Sequence, residues 1–365
     1  MEYNQSKNIM LTKKVKLIIN TVTIIALIVL IYVSRSQIIH GLEQIGGAKW
    51  SIIFLMIPMQ VVNYYSIAKL YQTYFKESGH ILSMKSMYKI ALELNFVNHI
   101  LPSGGVAGFS YLGLRMRRKG VPVSRTTLAQ AIRFGLTFAS FLILLFLGMF
   151  LLSFGSGKSG GGVALFIGLS IAFFTLFGMI IGIYLVSNEK RIRSFTAFLP
   201  KIINLLVKSV FRKENTINIE RIDRLFADLH KDYLLVAKDW RKLKVPFIWA
   251  LMVNITEIST VYLAFIALGH LVNPGAVILA YAVASFAGLV AILPGGIGVY
   301  ETIMTAVLAS AGVAKALALS ATLIYRIFCM IIFLPIGFVL YQIALRKGDV
   351  ETPTYEQSPI NSDSN

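Results

Sequence analysis

Two arginines lie inside otherwise apolar stretches, each at nearly the same distance from a proline that precedes paired glycines. Arg133 follows Pro102 by 31 residues, and Arg326 follows Pro294 by 32 residues. A charged side chain at the centre of a membrane helix costs about 2.5 kcal/mol or more on insertion scales, so it marks a functional site by default. The planar guanidinium group can donate two parallel hydrogen bonds to a phosphate. The spacing therefore predicts two cationic positions that bind a lipid phosphate.

A structural role for both arginines explains the same spacing. Proline removes an amide donor and glycine leaves the backbone soft, so each proline–glycine sequence ends a helix. In lipid, the freed carbonyl groups need a donor from the protein. An arginine about two turns into the next helix could be that donor, and the sequence leaves both interpretations open.

The two helix breaks have similar sequences and are the predicted tips of two re-entrant hairpins. Glycine at a tip lets a lipid headgroup approach the backbone, and the N-terminus of a half-helix favours an anion. The tip residues are Pro102, Ser103, Gly104 and Gly105 in the first break, and Pro294, Gly295 and Gly296 in the second.

Five further polar residues lie at or near membrane depth and are candidates for the same path. Glu257 could bind a coupling proton or balance an arginine, and Glu93 and Glu301 flank the two breaks. His99 beside Asn98 could carry a proton or bond free backbone at the first tip. Each candidate thus has a transport interpretation and a structural one.

The composition is that of a membrane protein. The hydrophobic fraction is 56% and the charged fraction 14% over 365 residues, and several runs exceed the roughly 18–20 apolar residues that cross about 30 Å of hydrocarbon. The net charge is +18, but the basic residues lie between the apolar runs. This positive-inside pattern predicts anionic lipid headgroups as partners and argues against nucleic acid.

The charge bias predicts six full crossings of the plasma membrane, with both termini in the cytoplasm. The first sixteen residues form the cytoplasmic N-terminus, and 348–365 form a disordered cytoplasmic tail. The expected spans are 17–33, 50–70, 127–152, 163–186, 245–268 and 317–345.

Two broken segments, 86–114 and 276–311, are too polar or too interrupted for simple crossings. Under the predicted topology the first enters from the cytoplasm and the second from outside. The unit of span, broken hairpin and span therefore occurs twice, at about 50–152 and 245–342, in opposite orientations. We expect an all-α polytopic membrane protein with a transmembrane domain at 17–347 and an inverted repeat, which is typical of transporters.

The sizeable extramembrane segment is 187–244, with fourteen Lys/Arg residues against seven Asp/Glu residues. Its apolar residues follow a helical period over 195–206 and 222–240. Two amphipathic helices on the inner headgroup layer, or a helical hairpin that links the two halves, both fit this pattern.

The sequence contains no motif in a context that indicates catalysis, metal binding or cofactor binding. The zinc-protease helix motif and the phosphate-binding loop are absent, and the pattern glycine-x-serine-x-glycine occurs within the glycine- and serine-rich stretch 153–162, which we expect to be a short external turn. The single cysteine, Cys329, excludes an internal disulfide and a zinc cluster. We therefore expect no cofactor, no metal and no enzymatic activity.

The breaks and their following arginines resemble a known family. The sequences Asn98–Gly105 and Leu293–Glu301, together with Tyr325 and Arg326, are similar to those of the lysylphosphatidylglycerol synthase transmembrane family, over about 15–345. The resemblance implies a flippase-like domain that moves lipid between leaflets. In two-part members a cytosolic C-terminal domain makes the aminoacylated lipid. These 365 residues contain no such domain, so we expect translocation rather than lysyl transfer.

The expected function is translocation of an amphipathic, phosphate-bearing phospholipid or glycolipid. One alternative is a membrane-embedded lipid-modifying enzyme that uses Glu93 and His99. A second is a non-transporting partner of a separate lipid synthase or glycosyltransferase, which would act through the basic 187–244 segment.

Overall fold

The computed structural model describes most of residues 21–43. It also describes residues 46–100, 106–155, 161–188, 191, 230–234, 236–290 and 296–349. Apolar segments in lipid must satisfy their backbone hydrogen bonds internally, so they form helices. No strand occurs among the described residues. The helices are α1 (Thr23–Ser36), α2 (Trp50–Glu77), α3 (Met84–Ile100), α4 (Val106–Arg117), α5 (Val123–Gly155), α6 (Gly161–Val186), α7 (Lys244–Ala267), α8 (Pro274–Val290), α9 (Val299–Ser310) and α10 (Lys315–Arg346).

The chain is an all-α, multi-pass membrane protein. Within the described residues, five helices are long and apolar enough to cross a membrane, namely α2, α5, α6, α7 and α10. They coincide with five of the six predicted spans. The sixth, 17–33, begins outside the described residues, and its described part belongs to α1. Helix α2 continues to Glu77, beyond its predicted end at 70, because Tyr71, Tyr74 and Phe75 are buried against other helices.

Each predicted broken segment consists of two helices that pack against each other. Helices α3 and α4 flank the first break, and α8 and α9 flank the second. The tip residues Pro102, Ser103, Gly104, Gly105, Pro294 and Gly295 lie outside the described residues. Gly296 is described, is buried and has a φ of 65°, a left-handed conformation that glycine adopts without strain.

The first helices of the two repeats, α2 and α7, run antiparallel against each other. The amide of Lys49 donates to the Ala267 carbonyl at 2.8 Å, near one end of the pair. The rings of Tyr65 and Trp249 lie 5.7 Å apart, nearer the other end. As numbering rises along α2, it falls along its partner, and this is the direction that an inverted repeat requires.

The packing between the repeats also occurs in matching pairs. Helix α5 of the first repeat contacts α8 of the second, and α10 of the second contacts α3 of the first. Glycines allow both approaches: a side chain on Gly275 would overlap with the Gly148 carbonyl, and a Cβ on Gly337 would lie 2.5 Å from the Leu92 carbonyl oxygen. The last helix of each repeat therefore packs against the first helix of the other repeat's broken segment.

Two segments outside the repeats are partly described. Helix α1 contacts α10 through a hydrogen bond of 3.4 Å between Thr23 and Tyr341. In the basic 187–244 segment, residues 230–234 and 236–238 are helical, and a 3₁₀ turn at Trp240–Leu243 leads into α7. The predicted amphipathic helix over 195–206 lies outside the described residues, and so does the beginning of the second.

Candidate functional site

Arg326 forms a buried ion pair with Glu301. The Nε atom of Arg326 donates to Oε1 of Glu301 at 3.0 Å, and the two side chains are 12% and 5% exposed. The other carboxylate oxygen of Glu301 accepts the amide hydrogen of Gly298 at 2.7 Å and so caps the start of α9. The second-repeat arginine is thus neutralised by an acid in the first turn after its own break.

Arg133 has a different environment. One of its terminal nitrogens (Nη1) donates to the Tyr71 hydroxyl at 3.3 Å. The ring centroids of Tyr71 and Phe134 lie 5.8 and 5.3 Å from the guanidinium carbon. Among the described residues, no carboxylate lies within the 4.0 Å limit of an ion pair with Arg133. Arg133 and Arg326 have matching positions in the sequence, but only Arg326 has a carboxylate partner among the described residues.

The difference between the two arginines follows from the residue seven positions after each proline. Glu301 is the seventh residue after Pro294, and the seventh residue after Pro102 is Phe109. The ring of Phe109 stacks on that of Phe134, the neighbour of Arg133, with a centroid distance of 5.6 Å. Where the second repeat places a carboxylate, the first repeat places an aromatic ring.

Both arginines nevertheless lie at mirrored positions along their helices. Arg133 is ten residues after the first residue of α5, and Arg326 is eleven after that of α10. At 1.5 Å per residue, each lies about 15 Å from the start of its helix. In an inverted repeat, positions that match in this way lie nearer to opposite ends of the bundle.

Glu257 is held between the two repeats by uncharged donors. One of its carboxylate oxygens (Oε2) accepts from the Tyr325 hydroxyl at 2.7 Å and from the Gln60 amide at 3.2 Å. Gln60 also donates to the Thr260 hydroxyl at 3.1 Å. Within the described residues no cation pairs with Glu257. Among these residues Glu257 therefore does not balance the charge of an arginine.

Glu93 lies in a network that joins the two arms of the first hairpin. Its oxygens accept from Nε and Nη2 of Arg115 at 2.8 and 2.9 Å, and from the Tyr111 hydroxyl at 2.8 Å. Arg115 also approaches the carboxylate of Asp349 at 3.2 Å, just beyond α10. This buried pair stabilises the closed arrangement of α3 and α4.

The remaining candidates at the first break contact nearby backbone and glycine. Nδ1 of His99 lies 2.8 Å from the Asn95 carbonyl oxygen, one turn earlier in α3. The Asn98 side chain packs on Gly108, where a larger residue would overlap with it. Its carbonyl oxygen is buried with no hydrogen-bond partner among the described residues.

Two cavities lie at opposite ends of the face between α1 and α10. One, of about 470 Å³, is lined by Glu301, Thr305 and Leu323 near the second hairpin and by His40 after α1. The other, of about 320 Å³, is lined by Ala107 and Tyr111 of the first hairpin together with Thr23 and Tyr341. Leu323 and Tyr341 are 18 residues apart on α10, or about 27 Å, which is close to the thickness of the hydrocarbon layer of about 30 Å.

Sequence reasoning missed several residues that complete these sites. Arg115 lies in a basic stretch of the sequence but is only 6% exposed, and Tyr325 donates a hydrogen bond to Glu257. Tyr71, which accepts from Arg133, and Gln130, which accepts from Tyr71, gave no signal because a tyrosine and a glutamine near a span end have no distinctive pattern. In the described part of the chain, no three His, Cys, Asp or Glu residues cluster as metal ligands would.

Comparison with known proteins agrees with this architecture. Residues 17–337 match the lysylphosphatidylglycerol synthase transmembrane region, and the match extends from α1 through most of α10. The chain is also 26% identical, over 140 residues, to a UPF0104 membrane protein of Pyrococcus horikoshii. That match spans 38% of this chain and 42% of the relative's length. The chain belongs to the lysylphosphatidylglycerol synthase transmembrane family of multi-pass membrane proteins.

Proposed function

We propose that the protein translocates a phosphate-bearing phospholipid or glycolipid between the leaflets of the plasma membrane, and that it is a transporter rather than an enzyme. Both termini and the basic 187–244 segment then face the cytoplasm, where that segment contacts anionic headgroups. The two broken segments are re-entrant, one from each side. A separate lipid synthase or glycosyltransferase supplies the lipid.

The observation that carries this proposal is the pair of cavities at the two ends of α10. They are about 27 Å apart along the helix, and each is lined by one hairpin. A buried ion pair accompanies each: Glu301 lines the first cavity, and Tyr111, which donates to Glu93, lines the second. A polar headgroup can bind at either end while its acyl chains stay in lipid.

This face contains a charge that a headgroup needs on its way. Arg326 is one turn beyond Leu323, so it lies on the path between the two cavities. Arg133 provides the corresponding charge at the other end of the bundle. A hydrogen bond to a charged group contributes about 1.5–3 kcal/mol, so loss of either contact with a lipid phosphate slows translocation by roughly tenfold or more.

The test uses purified full-length protein in liposomes and measures the exposure of a fluorescent phospholipid to an impermeant quencher. We expect Arg133→Ala and Arg326→Ala to slow translocation by about tenfold, and the exposed Arg118→Ala to leave the rate unchanged. Because Arg326→Ala leaves Glu301 without its partner, the double variant Glu301→Gln/Arg326→Gln is measured beside it. Wild-type rates in the folded Arg133→Ala and double variants would overturn the mechanism.

A further inference from the structure

We infer that Arg133 and a row of four phenylalanines form a binding site for one net-anionic phospholipid, with the phosphate on Arg133 and an acyl chain along the rings. The inference rests on the proposed function, since it names the class of lipid that the first repeat takes up. It also assigns different roles to the two arginines.

The first argument is the number of donors that Arg133 leaves unused. A guanidinium group has five N–H donors and is always charged. Within the described part of the chain it makes one hydrogen bond, to Tyr71, and no ion pair. Arg133 is half-buried on a membrane helix, where unpaired donors and an unbalanced charge are costly. An anion with several acceptor oxygens would satisfy both.

The second argument is that the protein holds this guanidinium in place. The Tyr71 hydroxyl donates to the side-chain oxygen of Gln130, so its own oxygen remains free to accept from Arg133. Tyr71 and Gln130 are both 1% exposed. The rings of Tyr71 and Phe134 flank the guanidinium and reduce its contact with water, which strengthens its attraction for an anion.

The third argument is an aromatic row that begins beside Arg133. Phe134 stacks on Phe109 of α4 at 5.6 Å and on Phe138, one turn further along α5, at 6.3 Å. Phe138 in turn stacks on Phe286 of α8 at 5.1 Å. All four rings are half-buried, so the row presents a continuous apolar surface between the two hairpins. If the phosphate of a lipid lies on Arg133, one acyl chain of that lipid would cover this row of rings.

The fourth argument concerns the charge of the lipid. In the second repeat Glu301 already neutralises Arg326, so that pair can hydrogen-bond a phosphate but does not select for a net-anionic lipid. In the first repeat Phe109 stands in the place of that acid, and the positive charge of Arg133 is not balanced by a described carboxylate. A lipid with net charge −1 complements the site. An aminoacylated headgroup brings additional ammonium groups and finds no described acid beside Arg133.

The experiment measures equilibrium binding to the purified full-length protein, by native mass spectrometry and by the rise in melting temperature on lipid addition. The probes are phosphatidylglycerol, phosphatidylcholine, lysylphosphatidylglycerol and inorganic phosphate. We expect phosphatidylglycerol to bind at least tenfold more tightly than the other two lipids, and phosphate alone to have no effect. Arg133→Gln should weaken phosphatidylglycerol binding at least tenfold, and Phe138→Ala should weaken it severalfold.

Two matched controls separate the site from general lipid contact. Arg118→Gln removes an exposed arginine, and Phe174→Ala removes a ring of α6 that is 64% exposed; both should bind phosphatidylglycerol as the wild type does. Equal binding of the three lipids by the wild type, or wild-type binding by Arg133→Gln, overturns the inference even if the protein translocates lipid. Selective binding at Arg133 without translocation leaves the inference standing and contradicts the proposed function.

Discussion

Arg115 and Glu93 form a two-pronged ion pair across the first helix break, with hydrogen bonds of 2.8 and 2.9 Å between α3 and α4. The side chains are 7% and 2% exposed, so the pair is shielded from solvent. A proline and paired glycines separate the two helices in sequence. The pair therefore fixes the angle and the register of the two arms.

Removing one member of this pair should destabilise the protein strongly. Arg115→Gln leaves the buried Glu93 carboxylate without its partner, which costs about 3–5 kcal/mol. Glu93→Gln should cost less, because Arg115 keeps the Asp349 carboxylate at 3.2 Å. The double variant should lose less than the sum of the two single variants, and melting temperatures in detergent measure the difference. Additive losses would show that the two side chains do not interact in the folded protein.

The unequal environments of Arg133 and Arg326 predict the effect of moving an acid between the repeats. Phe109→Glu places a carboxylate at the position that corresponds to Glu301. It should neutralise Arg133 and weaken phosphatidylglycerol binding by roughly tenfold, the equivalent of about 1.4 kcal/mol.

The uncharged Phe109→Gln variant is the control for this change. It disrupts the aromatic row to a similar extent but leaves the charge of Arg133 unbalanced, so it should retain more binding than Phe109→Glu. Equal binding by the two folded variants would contradict an electrostatic role for Arg133.

The sequence predicted the helices well because their causes are local. Apolar runs of the right length determine α2, α5, α6, α7 and α10, and the proline–glycine sequences determine where two other segments break. The matched spacing of Arg133 and Arg326 predicts the repeat in the same way. These features depend on neighbouring residues and on the thickness of the membrane.

The pairing of charges was less predictable because it depends on packing between distant residues. Glu93 and Arg115 are 22 residues apart, and the basic residues that follow Arg115 in the sequence give no sign that it is buried. The contrast between Glu301 and Phe109 was available by counting seven residues from each proline. It has meaning only once the structure shows that Glu301 contacts Arg326.

The close contact between α10 and α3 predicts a position that tolerates no side chain. A Cβ added at Gly337 would lie 2.5 Å from the Leu92 carbonyl oxygen and 2.8 Å from Cβ of Phe96. Gly337→Ala must therefore move one helix away from the other, at a cost of about 1–3 kcal/mol. Gly182→Ala on α6 is the matched control, because nothing lies within 4 Å of its added Cβ. The two variants should differ clearly in melting temperature, and equal values would count against the tight α10–α3 contact.

The opposite orientation of the two hairpins can be tested at their tips. Cys329 is the single cysteine of the chain, so Cys329→Ala gives a background without thiols, and Ser103→Cys or Gly295→Cys then adds one at a chosen tip. Antiparallel packing of α2 on α7 requires corresponding parts of the two repeats to face opposite sides of the membrane. In sealed inside-out vesicles, an impermeant maleimide should label the cysteine at position 103 and not the one at position 295. Right-side-out vesicles should show the reverse, and labelling of both positions from one side would refute opposed hairpins.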